Sequence, residues 1–187
     1  MVSSFRGDVS IMKSLSLGFR KLRTLDVVVL GVLMALALIL GRFTVGTQFM
    51  RLSFGFIVVA ITSYLYGPLW SSTTAALGDI IGTLISGSPY FPGFTVSAIL
   101  GAAIYGFFFY NKEITWKRVI VSQLIIAVLV NAVLNTFWLT VLYKTPFFGL
   151  LPMRTLKEVI ITPIEIAILY FIMNSKSFEM IKNRLLN

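Results

Sequence analysis

Six apolar runs occupy most of this chain, at about residues 26–42, 52–66, 67–87, 94–111, 117–143 and 154–174. A helix needs roughly 20 apolar residues to cross the hydrocarbon layer of a bilayer. The second run is short, and its border with the third is the turn "YLYGPLW", where Gly67-Pro68 breaks a helix. The fifth is long enough to tilt or to project beyond the bilayer. With 57% hydrophobic residues and a mean hydropathy of +0.91, the balance lies far above that of a soluble domain. The expected fold is an all-α integral membrane protein, a compact bundle of six transmembrane helices forming one domain over residues 26–187.

The chain has neither Cys nor His. Disulfides, thiolate nucleophiles, Cys/His metal sites and His general bases are excluded, which weakens every enzyme reading, and no metal or cofactor is expected. Residues 1–25 lack the sustained apolar core and small-residue cleavage site of a secretory signal. They read as a basic leader, either simply cytoplasmic or an interfacial amphipathic helix.

Net charge is +9, but the cations are spread between the apolar runs, so membrane orientation rather than nucleic acid accounts for most of them. Six spans put both termini on one side. The termini and the 111–118 loop hold eleven Lys and Arg; the opposite side holds five, namely Arg42, Arg51, Lys144, Arg154 and Lys157. The termini are therefore expected to be cytoplasmic, and the five outer cations need a separate explanation.

Polar groups inside the spans gather at one depth. At 1.5 Å per residue, Asp79 lies roughly 11 Å below the outer surface, Asn135 about 10 Å, Asn131 about 16 Å and Glu158 about 8 Å. They also share faces: Ser72, Asp79, Thr83 and Ser86 in the third span; Ser97, Gly101 and Tyr105 in the fourth; Asn131, Asn135 and Trp138 in the fifth; Arg154, Glu158, Thr162 and Glu165 in the sixth. Amides and hydroxyls can serve merely to link neighbouring helices, and Ser72, Thr83 and Thr162 are read that way. Carboxylates in lipid instead face a bundle interior or water, and the whole set is read as a pocket. Glu165, about 18 Å from the outer end, is read as structural or as a partner contact, displaced if Pro163 kinks its helix.

The outer loops add rings and cations. "SGSPYFPGFT" supplies Tyr90, Phe91 and Phe94; "YKTPFFGLLPMRTLKE" supplies Lys144, Phe147, Phe148, Arg154 and Lys157; "GRFTVGTQFMR" supplies Arg42, Phe43, Gln48, Phe49 and Arg51. An interfacial aromatic belt accounts for rings alone. Rings with cations beside them suit a planar, anionic small molecule.

Three stretches resemble the substrate-binding S components of energy-coupling factor transporters, which are bacterial vitamin importers. "GVLMALALILGRF" is similar to the family's first helix, with Gly31-xxx-Ala35 where Ala usually stands at both positions. "FPGFTVSAILGAAIYGFFFY" and "NTFWLTVLYKTPFFGLLPMRTLKE" resemble the folate-specific members. The resemblance covers about residues 24–175 and implies a subunit of the bacterial cell membrane that binds a vitamin from outside. A separate transmembrane coupling protein and two cytoplasmic ATPases would drive import, in keeping with the lack of a Walker-type loop here. The subunit would topple on docking, with the Gly31 and Ala35 face packed on the coupling protein; packing within the bundle is the plainer use of those small residues.

The resemblance implies folate as ligand. Asp79 or Glu158 would accept hydrogen bonds from the pterin edge, with Asn131 and Asn135 completing it. Trp138, Tyr90, Phe91 or Phe94 would sandwich the rings, on the wall that carries Ser97. Arg154, Lys157, Lys144 or Arg42 would hold the glutamate carboxylates. Glu158 can alternatively pair with Arg154 four residues before it. Riboflavin and thiamin are the nearest other ligands; riboflavin has no carboxylate for the outer cations, and thiamin is itself cationic. An intramembrane enzyme would have to use Asp79 with Glu158, and a scaffolding protein would not need convergent polar stripes.

Overall fold

The computed structural model describes residues 21–46, 51–176, 178 and 180. The leader reading for residues 1–20 lies outside them, as do Gln48, Phe49 and the side chain of Arg51.

Helix α1 spans Thr24–Arg42. The Asp26 carboxylate accepts the Arg23 backbone N–H at 2.8 Å, closing the first turn where a negative charge also suits the helix dipole. A short antiparallel ribbon follows, β1 (Thr44–Gly46) and β2 (Arg51–Ser53), in register Thr44 to Ser53. The hydropathy pattern gives no hint of this ribbon.

The stretch α2, Gly55–Ser86, is two helical arms joined at Gly67, where the backbone leaves helical geometry (φ 79°, ψ 176°). Only glycine takes that conformation without strain, and Pro68 removes the next backbone donor, so the helix breaks between the second and third runs where the sequence places the break. Gly87, left-handed at φ 66°, ends the helix.

Helix α3 spans Pro92–Phe109, with proline in its first turn where the missing N–H costs nothing. It packs closely along the kink. A Cβ on Gly106 would collide with the Pro68 backbone. Ser63 donates to the Ala102 carbonyl at 3.1 Å and Ser72 to the Ile99 carbonyl at 3.1 Å. These hydroxyls link helices, as read for Ser72.

The fifth apolar run is continuous but not uniform: α4 (Trp116–Ile125), a π-helical segment (Ile126–Leu134) and α5 (Asn135–Tyr143). Helix α6 spans Phe147–Met173 and passes through Pro152 and Pro163 without a break. It therefore begins seven residues before the expected start at 154. The sequence reading put this stretch in an outer loop, whereas Pro146 caps the helix and the apolar "FFGLL" forms its opening turns.

The bundle is all-helical apart from the ribbon. Among the described residues, three elements are long and apolar enough to cross a membrane: α1, α3 and the continuous 116–143 segment. Their exposed faces are apolar, as with Val28, Val32 and Ile39 on α1 and Val128 on the π segment. The core centres on Tyr64, Leu65, Phe109, Val119, Leu169 and Met173. It fills the end of the bundle nearest the turn between α3 and α4, where Trp116 stacks on Tyr170 at 3.9 Å. Farther from that turn, the helices stand apart around a cavity.

Candidate functional site

A central cavity of about 420 Å³ lies among α1, α2, α3, α6 and the 116–143 segment. Its walls are largely apolar, from Leu33 and Met34 on α1 to Val59 on α2 and Val130 on the π segment. Polar groups punctuate these walls at three places.

At the deep end, the Tyr105 hydroxyl donates to Gln123 Oε1 at 2.6 Å, and Gln123 Nε2 donates to Glu165 Oε2 at 2.5 Å. Tyr105 and Gln123 are almost wholly buried. On one side wall, Asp79 accepts from the Thr95 hydroxyl at 2.7 Å, and Thr95 lies 3.1 Å from the Tyr90 hydroxyl. On the other, Asn131 donates to Glu158 at 3.2 Å and Asn135 reaches Asn131 at a long 3.5 Å. The Asn135 side-chain oxygen, Oδ1, is buried and has no hydrogen-bond partner among the described residues.

The π winding explains how one helix supplies this last wall. At 3.6 residues per turn, the eight-residue step from Gln123 to Asn131 would leave them roughly 80° apart. A π segment turns less per residue, which carries Asn131 back toward the face of Gln123; both line the cavity.

Two side compartments adjoin the cavity. One, of about 230 Å³, is lined by Ser53, Phe56, Asn131, Asn135, Glu165 and the α6 residues Arg154, Lys157 and Glu158. Lys157 stands 3.5 Å from Glu158. One terminal guanidinium nitrogen of Arg154, Nη1, is buried and has no hydrogen-bond partner among the described residues. The other, of about 510 Å³, includes Arg42, Asp79, Thr83, Ser86 and Phe94.

Of the residues expected to form a site, Asp79, Phe94, Ser97, Asn131 and Asn135 line the central cavity. Arg154, Lys157 and Glu158 line the first side compartment, and Arg42 the second. Phe91, Trp138, Tyr90 and Lys144 line none of these three spaces. Trp138 donates its indole N–H to Ser97 at 3.1 Å and packs on Phe91 at 5.8 Å, so this pair backs the wall. Gly93 leaves the room those rings occupy. Tyr90 is exposed, and Lys144 is exposed at a left-handed position (φ 54°) that ends α5. Glu158 meets Asn131 and Lys157 rather than forming the helix-surface pair with Arg154.

At the deep end, Gln123 was not singled out by the sequence, and Tyr105 was read only as part of the fourth span's polar stripe. Glu165, read as structural or a partner contact, lines both the cavity and the first side compartment. Its signal was a carboxylate in an apolar run, set aside because it lay too deep for a pocket confined to the outer half.

Residues 25–185 match the family described as ECF transporter, substrate-specific component. A relative from Leuconostoc mesenteroides, named folate transporter FolT, is 38% identical over 165 residues, covering 84% of this chain and 89% of that protein. A second folate transporter FolT, from Clostridium novyi, is 41% identical over 140 residues, covering 74% of this chain and 81% of that protein. A crystal structure of FolT bound with folic acid superposes with a TM-score of 0.75 at 37% identity, covering 80% of this chain and 93% of that one. Apolar helices around a walled cavity, a family match along most of the length and a shared fold agree: this multi-pass membrane protein belongs to the substrate-specific components of the energy-coupling factor transporters.

Proposed function

We propose that this S component binds folate from outside the cell and delivers it for ATP-driven import. The observation that carries the reading is the junction of an apolar cavity with a compartment holding Lys157 and a buried nitrogen of Arg154 that has no partner among the described residues. Folate has the matching form: flat rings at one end, a glutamate tail at the other. The rings occupy the central cavity beside Phe94, with the Trp138–Phe91 pair behind. The tail carboxylates meet Arg154 and Lys157, since a guanidinium can bind a carboxylate through two parallel hydrogen bonds. Arg42 and Lys144 act farther out, drawing the anion toward the mouth. Asn131 and Asn135, each able to donate and accept, flank the ring edge. The FolT relatives and the structure of FolT with folic acid support this choice of ligand.

The wider arrangement follows the family. The two arms of α2 on either side of Gly67 cross the membrane separately, giving six crossings with both termini cytoplasmic and the basic leader on that side. A transmembrane coupling protein and two cytoplasmic ATPases complete the transporter. Gly31 and Ala35 give α1 a flat docking face; both are exposed, and a Cβ on Gly31 would meet nothing within 4 Å.

Purified protein in detergent, titrated with folic acid in a calorimeter, should bind one equivalent. Riboflavin and thiamin should not displace it. No saturable folic acid binding, or displacement by riboflavin, overturns the proposal.

A further inference from the structure

We infer that Glu165 is the carboxylate that reads the pterin edge, held in position for that purpose by Gln123 and Tyr105. The inference rests on folate being the ligand, and it replaces both Asp79 and Glu158 in that role.

Position separates the three acids. Glu158 lines the side compartment but not the central cavity, so a ring in the cavity does not meet it. Its oxygens already face Asn131 and Lys157. Asp79 lines the cavity where it opens toward Arg42, and Thr95 holds one of its oxygens. Glu165 stands at the deep end, in the cavity and at its junction with the compartment of Arg154 and Lys157.

The surroundings of Glu165 are built to aim it. Tyr105 has one hydroxyl proton and gives it to Gln123 Oε1. That bond fixes which end of the Gln123 amide faces Glu165, so Nε2 donates to Oε2. The carboxylate is pinned through one oxygen by two buried side chains, and the other oxygen retains its full accepting capacity. Thr62 and Ser71, also lining the cavity, have given their one proton to the Val58 and Gly67 carbonyls, and their neutral oxygens are weaker acceptors than a carboxylate. Among the described residues no cation lies within ion-pair distance of Glu165. A carboxylate in a membrane interior without a cation is costly unless donors reach it. A pterin edge brings an amino group and a ring N–H side by side, the pattern a carboxylate accepts. The Asn135 side-chain carbonyl lines the same cavity and, among the described residues, has no partner, so it can take a further N–H.

Spacing along α6 agrees. Glu165 follows Arg154 by eleven residues, or roughly 16 Å of helix. A ligand with a pterin at one end, an aminobenzoyl ring between and carboxylates at the other fits between two such fixed points on one helix.

The test compares Glu165→Gln, Asp79→Asn and Glu158→Gln, each titrated with folic acid. p-Aminobenzoyl-glutamate, which lacks the pterin, competes against labelled folic acid on wild type and against the residual binding of each variant. Thermal unfolding checks folding. Glu165→Gln should weaken folic acid on the order of 100-fold, because an amide presents a donor where two acceptor bonds were made. Binding of the pterin-free fragment should stay within about threefold, and the other two variants should lose under about tenfold. If Glu165→Gln does not fold, Glu165→Asp, which keeps the charge but withdraws it by one methylene, should show a smaller loss confined to pterin-bearing ligands. Wild-type affinity in the folded Glu165 variant, equal losses for folic acid and the fragment, or a larger loss in Asp79→Asn overturns the inference. A wild-type protein that fails to bind folic acid overturns the folate reading instead.

Discussion

Arg154 shows how a single side chain separates fold from function. Among the described residues one of its terminal nitrogens is buried without a hydrogen-bond partner, and a buried donor left unsatisfied costs about 1–3 kcal/mol, more when charged. A carboxylate from the ligand would meet that cost. Arg154→Ala should therefore leave thermal stability unchanged or raised, and weaken folic acid by roughly 10- to 100-fold. Pteroic acid, which lacks the glutamate, should bind variant and wild type alike, and calorimetry with both ligands checks this. Residues of this kind were legible in the sequence: Asp79, Asn131, Asn135 and Arg154 are polar interruptions of apolar runs, and the bilayer penalises each unless it faces something polar. Glu165 obeyed the same rule, but its depth told against it. The cavity reaches inward to Tyr105, which lies thirteen residues past Pro92, about 20 Å along α3. Hydropathy reports which residues avoid lipid, not how far an opening extends.

Elements were legible where one residue dictates backbone geometry, and hidden where geometry arises from the packing of several. Gly67-Pro68 announces a break because glycine alone accepts φ 79° there and proline withholds a donor. The π segment has no such marker. Its residues, "IAVLVNAVL", suit an ordinary helix, so the turn toward Gln123 could not be read from spacing. Contact between α2 and α3 at the kink leads to a prediction about two glycines of one helix. A Cβ on Gly106 would strike the Pro68 backbone, whereas one on Gly101 would meet nothing within 4 Å. Gly106→Ala should destabilise by about 1–3 kcal/mol, because rigid backbone cannot yield as a flexible side chain can. Gly101→Ala should be neutral or slightly stabilising, since alanine favours the helix. Thermal unfolding of both variants in one detergent decides the matter; equal melting temperatures would show that α3 does not rest on the kink.

At the scale of the molecule, a binding subunit has to be stable alone and still offer a surface to the rest of its transporter. Helix α1 has the form of such a surface. Only Asp26 and Leu30 of its residues are buried, while Val28, Gly31, Val32, Ala35 and Ile39 face outward. Lipid would accept any apolar side chain on that face, so solubility in the bilayer does not demand small residues there. Close approach of another helix does. Packing within the bundle, the plainer use of Gly31 and Ala35, finds no neighbour at Gly31 among the described residues. The cavity is lined instead by Leu33, Met34, Ala37 and Leu38, on another side of α1. Docking and binding should therefore come apart. Gly31→Leu with Ala35→Leu should leave folic acid affinity within about twofold and the melting temperature unchanged, because neither new side chain reaches the cavity or the core. The same variant, reconstituted with coupling protein and ATPases, should lose most folate uptake and co-purify poorly with the coupling protein, since bulk at a small-residue contact holds helices apart. Equal uptake by variant and wild type would remove this face from the docking surface, and a matching fall in affinity would return the two residues to the fold.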